Sequence, residues 1–399
     1  MSDITLQTIP AGKLAIIAMD NILPLAEKVN DYIVSWRSDR DNMADDNGIH
    51  FQGYVRDSYL LKAKAPRFGS GEGKGQILES VRGMDVYIMV DVLNNSLTYK
   101  LSGIENHMSP DDHYQDLKRI IGAIQGRANR ITVIMPFLYE SRQHRRTTRE
   151  SLDCAAMLQE LFALGIDDLI TFDAHDPRVQ NAIPNMSFDN VPCTYQFIKE
   201  LVHSAPDIRF DSDHLMVVSP DEGGMGRAVN IANYLGVNVG MFYKRRDYTK
   251  IVNGTNPIVA HEYLGNDLDG KDVLIFDDMI SSGGSMLEVA QELKKRHANR
   301  VFMCATFGLF TNGLEKFDKA YEEGYIYKVL TTNLTYCKPE VKERPYYSTV
   351  DLSKYIALII DSLNHNNSLS SLLVPTDRIN RFLNRHKAEL EAQDAEQKQ

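Results

Sequence analysis

Over most of its length this chain alternates short apolar runs with stretches whose apolar residues recur at helical spacing. That alternation predicts an α/β fold whose strands are buried on both faces, as in a parallel sheet. The runs predict strands over Lys13–Ala18, Val86–Asp91, Ile131–Pro136, Asp168–Phe172, Leu215–Ser219, Asn238–Tyr243, Val273–Phe276 and Arg300–Thr306. Helical periodicity predicts helices over Pro110–Gln125, Ser151–Leu164, Tyr195–His203, Gly224–Leu235 and Met286–Lys295. The polar stretch Arg37–Gly53 reads as a loop, and Val350–Leu373 as one more amphipathic helix packing back on the body. The charged end, His386 to Gln399, reads as a fraying helix or a disordered tail.

A length of 399 residues suggests two or three domains. A boundary near 190–195 divides the chain into domains 1–192 and 193–349, a helical segment 350–385 and a tail 386–399. Charged residues at 25% and hydrophobic ones at 43% are ordinary for a globular protein. The formal charge of −10 argues against a nucleic-acid surface. Apolar runs such as Ile131 to Leu138 are too short to span a bilayer, and no N-terminal signal pattern is present. The four cysteines are scattered without CxxC spacing, which suggests neither a zinc site nor a disulfide framework. A cytoplasmic enzyme is the expectation.

The chemistry concentrates where strands end. After Val273–Phe276 come Asp277 and Asp278, then the loop Ser281-Ser282-Gly283-Gly284-Ser285, then a helix. Amide groups and dipole at that helix start favour a phosphate, glycines let the backbone curl around it, and serines add hydroxyl donors. Two carboxylates beside a phosphate site suit the vicinal hydroxyls of a sugar, or Mg²⁺ on them. The loop therefore reads as a ribose 5-phosphate cradle; the plainer reading is a strand–turn–helix with an acidic turn. Ser219-Pro220-Asp221-Glu222-Gly223-Gly224 ends another strand and suits a phosphate or pyrophosphate at Gly223 and Gly224, with Asp221 a hard-oxygen ligand for Mg²⁺, or simply a left-handed turn. His175 follows Asp173 at a third strand end. Lys244 and Arg246 follow a fourth, and strand alternation points them the same way. Such cations are what phosphoryl transfer needs, because charge spreads onto the phosphate oxygens. Arg142 and Gln143 lie in a second basic loop; Phe68 suits stacking on a base and Glu72 suits an amino group.

Taken in order from about Phe68 to about Leu372, these segments resemble the ribose-phosphate pyrophosphokinase family, also called phosphoribosyl-pyrophosphate synthetase. The resemblance implies two phosphoribosyltransferase-like domains, each with a mainly parallel sheet flanked by helices. It implies Mg²⁺-dependent transfer of the pyrophosphoryl group of ATP to ribose 5-phosphate. By the same resemblance Phe68, Glu72, Arg142 and Gln143 hold ATP. Asp221, Asp277, Asp278, Ser281, Ser282, Gly283, Gly284 and Ser285 hold ribose 5-phosphate. Gly223 and Gly224 form a pyrophosphate loop, His175 and Asp221 bind Mg²⁺, and Lys244 and Arg246 stabilise the transition state. A dimer-based homo-oligomer, a hexamer, is implied too, with neither nucleic acid nor membrane as partner. The chain departs from the family pattern at Ser70, where an Asp is usual, at His144 after Arg-Gln, at Val90-Asp91 in place of Gln-Ser, and at Phe307. Two rival readings are a non-catalytic homologue that regulates an active partner and a nucleobase phosphoribosyltransferase. The latter expects no Arg-Gln loop or Phe-Gly-Glu segment in a preceding domain.

Overall fold

The structure is a computed structural model that describes residues 9–43, 51–246 and 258–397. The chain divides into two compact units. The first comprises Met1–Pro192, Asn333–Tyr336 and Asp351–Val374; the second comprises Cys193–Thr332, Cys337–Val350 and Pro375–Gln399.

In the first unit five parallel strands lie in the order β1 (Lys13–Ala18), β2 (Met84–Met89), β3 (Arg130–Ile134), β4 (Asp168–Phe172) and β5 (Ser187–Val191). Every residue of β4 is buried, which is why its sequence is a continuous apolar run broken only by Asp and Thr. Helices α1 (Leu23–Met43), α2 (Pro110–Ile124) and α3 (Asp153–Ala163) connect them. Pro110 and a Ser109/Asp112 capping box fix the start of α2.

The expected loop from Arg37 is helical as far as Met43. Arg37 is 1% exposed; it donates from Nε to Asp361 at 3.0 Å and from Nη2 to Asn364 at 2.7 Å. Its guanidinium also lies over the Tyr54 and Tyr59 rings. An arginine with a paired carboxylate and two aromatic faces is buried without an uncompensated charge, and these partners are far away in sequence. Asp361 and Asn364 lie on a helix over Ser353–Asn364 in the same unit, which is followed by a short helix at Ser370–Leu373.

The second unit holds seven strands: β6 (Leu215–Ser219), β7 (Asn238–Arg246), β8 (Ile258–Leu264), β9 (Asp272–Ile280), β10 (Val301–Gly308), β11 (Lys328–Thr332) and β12 (Tyr347–Val350). Their order is β8-β7-β6-β9-β10-β11-β12, parallel except for the antiparallel β7–β8 pair. Helices α4 (Thr194–Ser204), α5 (Met225–Leu235) and α6 (Gly284–Lys295) belong to it. A single helix, Thr376–Gln397, runs across residues 385 and 386, where the charge pattern placed the start of a tail. His386 and Leu390 are buried, and the His386 Nε2 bonds the Ile208 carbonyl at 2.8 Å. Among the described residues no helix is long and apolar enough to cross a membrane.

Candidate active site

In the second unit the chain order reverses at β6. The strand that follows it, β7, lies on one side and β9 on the other, with Val218 opposite Ile275. The crevice beyond the carboxyl ends of two such strands is where open α/β sheets bind ligands. The loops that leave β6 and β9 there are the Asp221 loop and the Ser281–Ser285 loop; Asp277 and Asp278, expected beyond the end of the strand, lie within β9, which pairs with β10 as far as Ile280.

The second of these is shaped by packing. Gly283 is buried with φ +76, in the left-handed region, and a Cβ on it would lie 2.1 Å from the Phe317 ring. No other residue fits this position. Ile280 and Ser281 carbonyls accept from Leu309 and Thr311 N–H groups at 2.8 and 3.0 Å, which ties the loop to the end of β10. Gly283 O accepts from Leu287 N–H at 2.9 Å, the first bond of α6. The helix thus opens directly from the loop, and its first-turn amides have no intrahelical partner.

The Asp221 loop is built differently. Ser219 Oγ donates to the Asp221 carbonyl at 2.7 Å, and Gly224 N–H donates to Asp221 Oδ1 at 3.0 Å. Asp221 thus closes a turn just ahead of α5 without capping the helix, whose N-cap is Gly224, and it is exposed there. Gly224 has φ −79, so a left-handed turn is not the reason for it. A Cβ there would lie 2.9 Å from Ser219 Oγ, so close approach is the reason.

Arg227, in the first turn of α5, approaches Asp277 Oδ1 of β9 at 3.6 Å and so links the two strand–helix units. The sequence reading did not single it out. Its signal was an arginine in the first turn of a helix, which opposes the dipole and needs a nearby anion. Asp278 is 4% exposed, and its N–H donates to Asp277 Oδ1 at 2.9 Å. Burial, and then the Asp278 charge, hold the Asp277 carboxyl above the usual carboxylate range, while Arg227 opposes the shift. A pair so poised can donate to a sugar hydroxyl or accept from it.

Strand β7 continues past the end of β6, where Ser219 faces Met241, and pairs with β8. Lys244 lies opposite His261 and Arg246 opposite Ile258, with the register shifting between Arg245 and Arg246. The strict period of two behind the Lys244/Arg246 pairing is interrupted there. The side chains of both residues, and 247–257, lie outside the described residues.

In the first unit, the Arg142–His144 loop follows β3 and His175 follows β4, its neighbour. The two meet: the His144 and His175 rings lie 5.4 Å apart, and His144 Nε2 is 3.7 Å from Asp176 Oδ2. Hydrogen bonds from Arg178 hold the Asp176 carboxyl down to about 2. Arg142 and His175 are exposed, while Gln143 Nε2 donates to Ser151 O at 2.8 Å. Phe68, 54% exposed, and Glu72 sit on a tight turn closed by Phe68 N–H to Glu72 O at 2.7 Å. Ser70 Oγ donates to the Glu72 carboxylate at 2.8 Å. The first turns of α2 join this turn to the basic loop: Arg67 pairs with Asp116 at 2.6 Å and with Asp112 at 3.8 Å, while Tyr139 donates to Asp111 at 2.6 Å. His175 belongs to the first unit and Asp221 to the second. Among the described residues no group of three or more His, Cys, Asp or Glu is arranged to hold a metal.

The family model for the N-terminal domain of ribose phosphate pyrophosphokinase matches residues 14–165, and that for the phosphoribosyl transferase domain matches residues 194–334. Ribose-phosphate pyrophosphokinase of Vibrio parahaemolyticus is 29% identical over 318 residues, 78% of this chain and 91% of that protein. The protein of the same name from Pasteurella multocida is 28% identical with the same coverage. The crystal structure of phosphoribosylpyrophosphate synthetase from Mycobacterium smegmatis matches with a TM-score of 0.67 at 22% identity, covering 89% of this chain and all of that one; the two share a fold. The chain belongs to the ribose-phosphate pyrophosphokinase family and is a transferase.

Proposed function

We propose that this chain transfers the β,γ-pyrophosphoryl group of ATP to the anomeric hydroxyl of ribose 5-phosphate, giving phosphoribosyl pyrophosphate and AMP. The sugar's O1 bonds to the β-phosphorus, the bond from that phosphorus to the α,β-bridging oxygen breaks, AMP leaves with the oxygen, and the hydroxyl proton goes to solvent. The observation that carries this reading is the crevice at β6 and β9. A glycine-shaped loop that opens a helix lies beside Asp277 and the buried Asp278, and beside a second loop in which Asp221 accepts from Gly224 N–H.

In this reading the Ser281–Ser285 loop takes the 5-phosphate, and Asp277 and Asp278 take the ribose hydroxyls. Asp221 joins them at the sugar, and Gly223 and Gly224 take the pyrophosphoryl group. Phe68, Glu72, Arg142 and Gln143 hold the nucleotide, and Lys244 and Arg246 meet charge developing on the phosphate. Such chemistry asks for positioning and charge neutralisation, with no covalent intermediate. Mg²⁺, when bound, would neutralise phosphate oxygens. It takes one or two carboxylates together with waters and substrate phosphates, which suits the exposed Asp221 carboxylate. Imidazole is a weaker donor for it, so the part of His175 rests on the family resemblance. The nucleotide domain is 1–192 and the sugar domain 193–349 on this proposal, and the enzyme works as a dimer-based homo-oligomer, a hexamer, in the cytoplasm.

Incubating the purified protein with ATP, Mg²⁺ and ribose 5-phosphate tests the reading, with AMP as readout. Sugar-dependent AMP supports it, whereas ADP in its place means γ-phosphoryl transfer and overturns it. Turnover absent alone, with a changed rate on mixing with an active homologue, favours a regulatory role.

A further inference from the structure

The first unit contains a hairpin that the proposed reaction does not use. Its strands, Thr98–Leu101 and Ile104–His107, form a separate two-stranded sheet. A lone hairpin is marginally stable in water, so one that persists needs a surface to rest on. This one rests on the turn that carries Phe68 and Glu72. Thr98 and Lys100 are exposed while Tyr99 and Leu101 are half-buried, the alternation of a strand with one covered face. The Arg67 guanidinium lies 5.3 Å from the centre of the Tyr99 ring, within reach of a cation–π contact. Leu101 Cδ1 occupies the space that a Cβ on Gly71 would approach to 3.0 Å. Gly71 itself has φ +90, so the residue at the corner of the turn has neither backbone nor steric freedom to change. The same Arg67 guanidinium also pairs with Asp116 and Asp112 of α2. Phe68 stays exposed between these two supports, and the Glu72 carboxylate is oriented by Ser70.

We propose that the Thr98–His107 hairpin sets the position of the Phe68–Glu72 turn, making Tyr99 and Leu101 positioning residues for the nucleobase. The inference rests on the reading of that turn as the nucleotide contact. Neither residue touches the reacting atoms. Tyr99 meets Arg67 just before the turn and Leu101 meets Gly71 within it, so that an exposed ring and an exposed carboxylate meet the base at a fixed separation. The turn is the tip of its own short ladder, with Arg67 bridged to Gly73 and Ala63–Lys64 paired with Gln76–Ile77; Tyr99 and Leu101 add a support beside it, and a shift on the order of 1 Å is enough to spoil such a contact.

The test uses the full-length protein, the substitutions Tyr99→Ala, Tyr99→Phe, Leu101→Ala and Phe68→Ala, and α,β-methylene-ATP as a probe whose reacting bond cannot break. Tyr99→Ala and Leu101→Ala are expected to weaken calorimetric binding of the probe and raise KM for ATP on the order of tenfold. The kcat and the KM for ribose 5-phosphate stay near wild type. Tyr99→Phe, which keeps the ring, restores binding. Unchanged probe affinity in Tyr99→Ala and Leu101→Ala, with Phe68→Ala still weakened, overturns the positioning role and leaves the nucleotide turn intact. Unchanged affinity in Phe68→Ala overturns the nucleotide reading, and this inference with it. Equal losses for both substrates mean general loosening and also overturn it.

Discussion

The two units hold their candidate chemistry in opposite ways. In the second, the aspartate pair and the Ser/Gly loop are extensions of the core: Asp278 is buried, Gly283 presses on Phe317, and both continue a strand whose preceding residues are all buried. In the first, Phe68, Glu72, Arg142 and His175 are exposed, and the turn that carries Phe68 and Glu72 is braced by ion pairs to α2 and by a small hairpin. A site cut into a close-packed core has one shape, because its walls cannot yield without making or filling a cavity. A site carried on braced turns can change residues without disturbing the fold. The departures from the family pattern at Ser70, Asp91 and His144 fall in the first unit and the one at Phe307 in the second, in the core strand β10, while the Asp277–Ser285 stretch keeps its pattern.

The contrast is open to attack, first at the cations, since positioning is not chemistry. Lys244→Ala is expected to lower kcat on the order of 10²–10³-fold, as loss of a charge-stabilising donor does, with an unchanged urea midpoint. A near-wild-type rate would remove Lys244 from the mechanism. Gly283→Ala strikes the cradle: the left-handed backbone and the overlap with Phe317 should cost about 2–4 kcal/mol in urea unfolding. Turnover should drop on the order of a hundredfold, and the stability cost of Gly283→Ala should be smaller when it is measured in a Phe317→Ala background. If Gly283→Ala is as stable and active as the parent, the cradle is not rigid and the comparison fails. Phe68→Ala is the matching cut in the first unit. Loss of one stacked ring is expected to raise KM for ATP about tenfold, while stability stays within about 0.5 kcal/mol because the ring is exposed.

The smallest effect concerns buried carboxylates. Asp91, beyond the end of β2, accepts from Leu93 N–H, Tyr336 N–H and the Thr335 hydroxyl within the first unit, and burial pushes its carboxyl up to about 7. Asp277 is raised too, but it lies beside a crevice. An unfolded Asp ionises near 4. Between that value and about 7 the folded chain keeps a proton the unfolded chain has lost, so Asp91's contribution to stability is full below pH 4 and is lost as pH rises through 7. The stability difference between wild type and Asp91→Asn, followed by urea midpoints from pH 5 to pH 8, should therefore move against the wild type as pH rises. A difference that stays constant would show Asp91 ionised throughout, and would leave it as ready for ligands as the pair in the second unit.

Lys13–Ala18, Asp168–Phe172 and Leu215–Ser219 were legible to the residue, because a strand covered on both faces must be apolar throughout. Ser187–Val191 was not, since at the edge of its sheet Asp189 and Asn190 are tolerated and blur the pattern. Nor was Ile258–Leu264, whose polar residues suit an antiparallel edge strand. The turn from β9 into α6 was legible because its signals are local: glycines, serines and a helix start within a few residues of one another.

Arg37 and Arg227 mark the limit of that reading. Local pattern assigns a lone arginine to solvent. One is buried on Asp361, 324 residues away, and the other approaches Asp277, which belongs to a different strand. The sequence by itself placed the central strands of both sheets and the glycine- and serine-rich loops that follow them, because those properties follow from neighbours along the chain. Only the tertiary structure decided that β6 is the point where the sheet reverses, that Phe317 makes Gly283 obligatory, and that Tyr99 and Leu101 brace the Phe68 turn. Each of these depends on surfaces that meet only once the chain has folded.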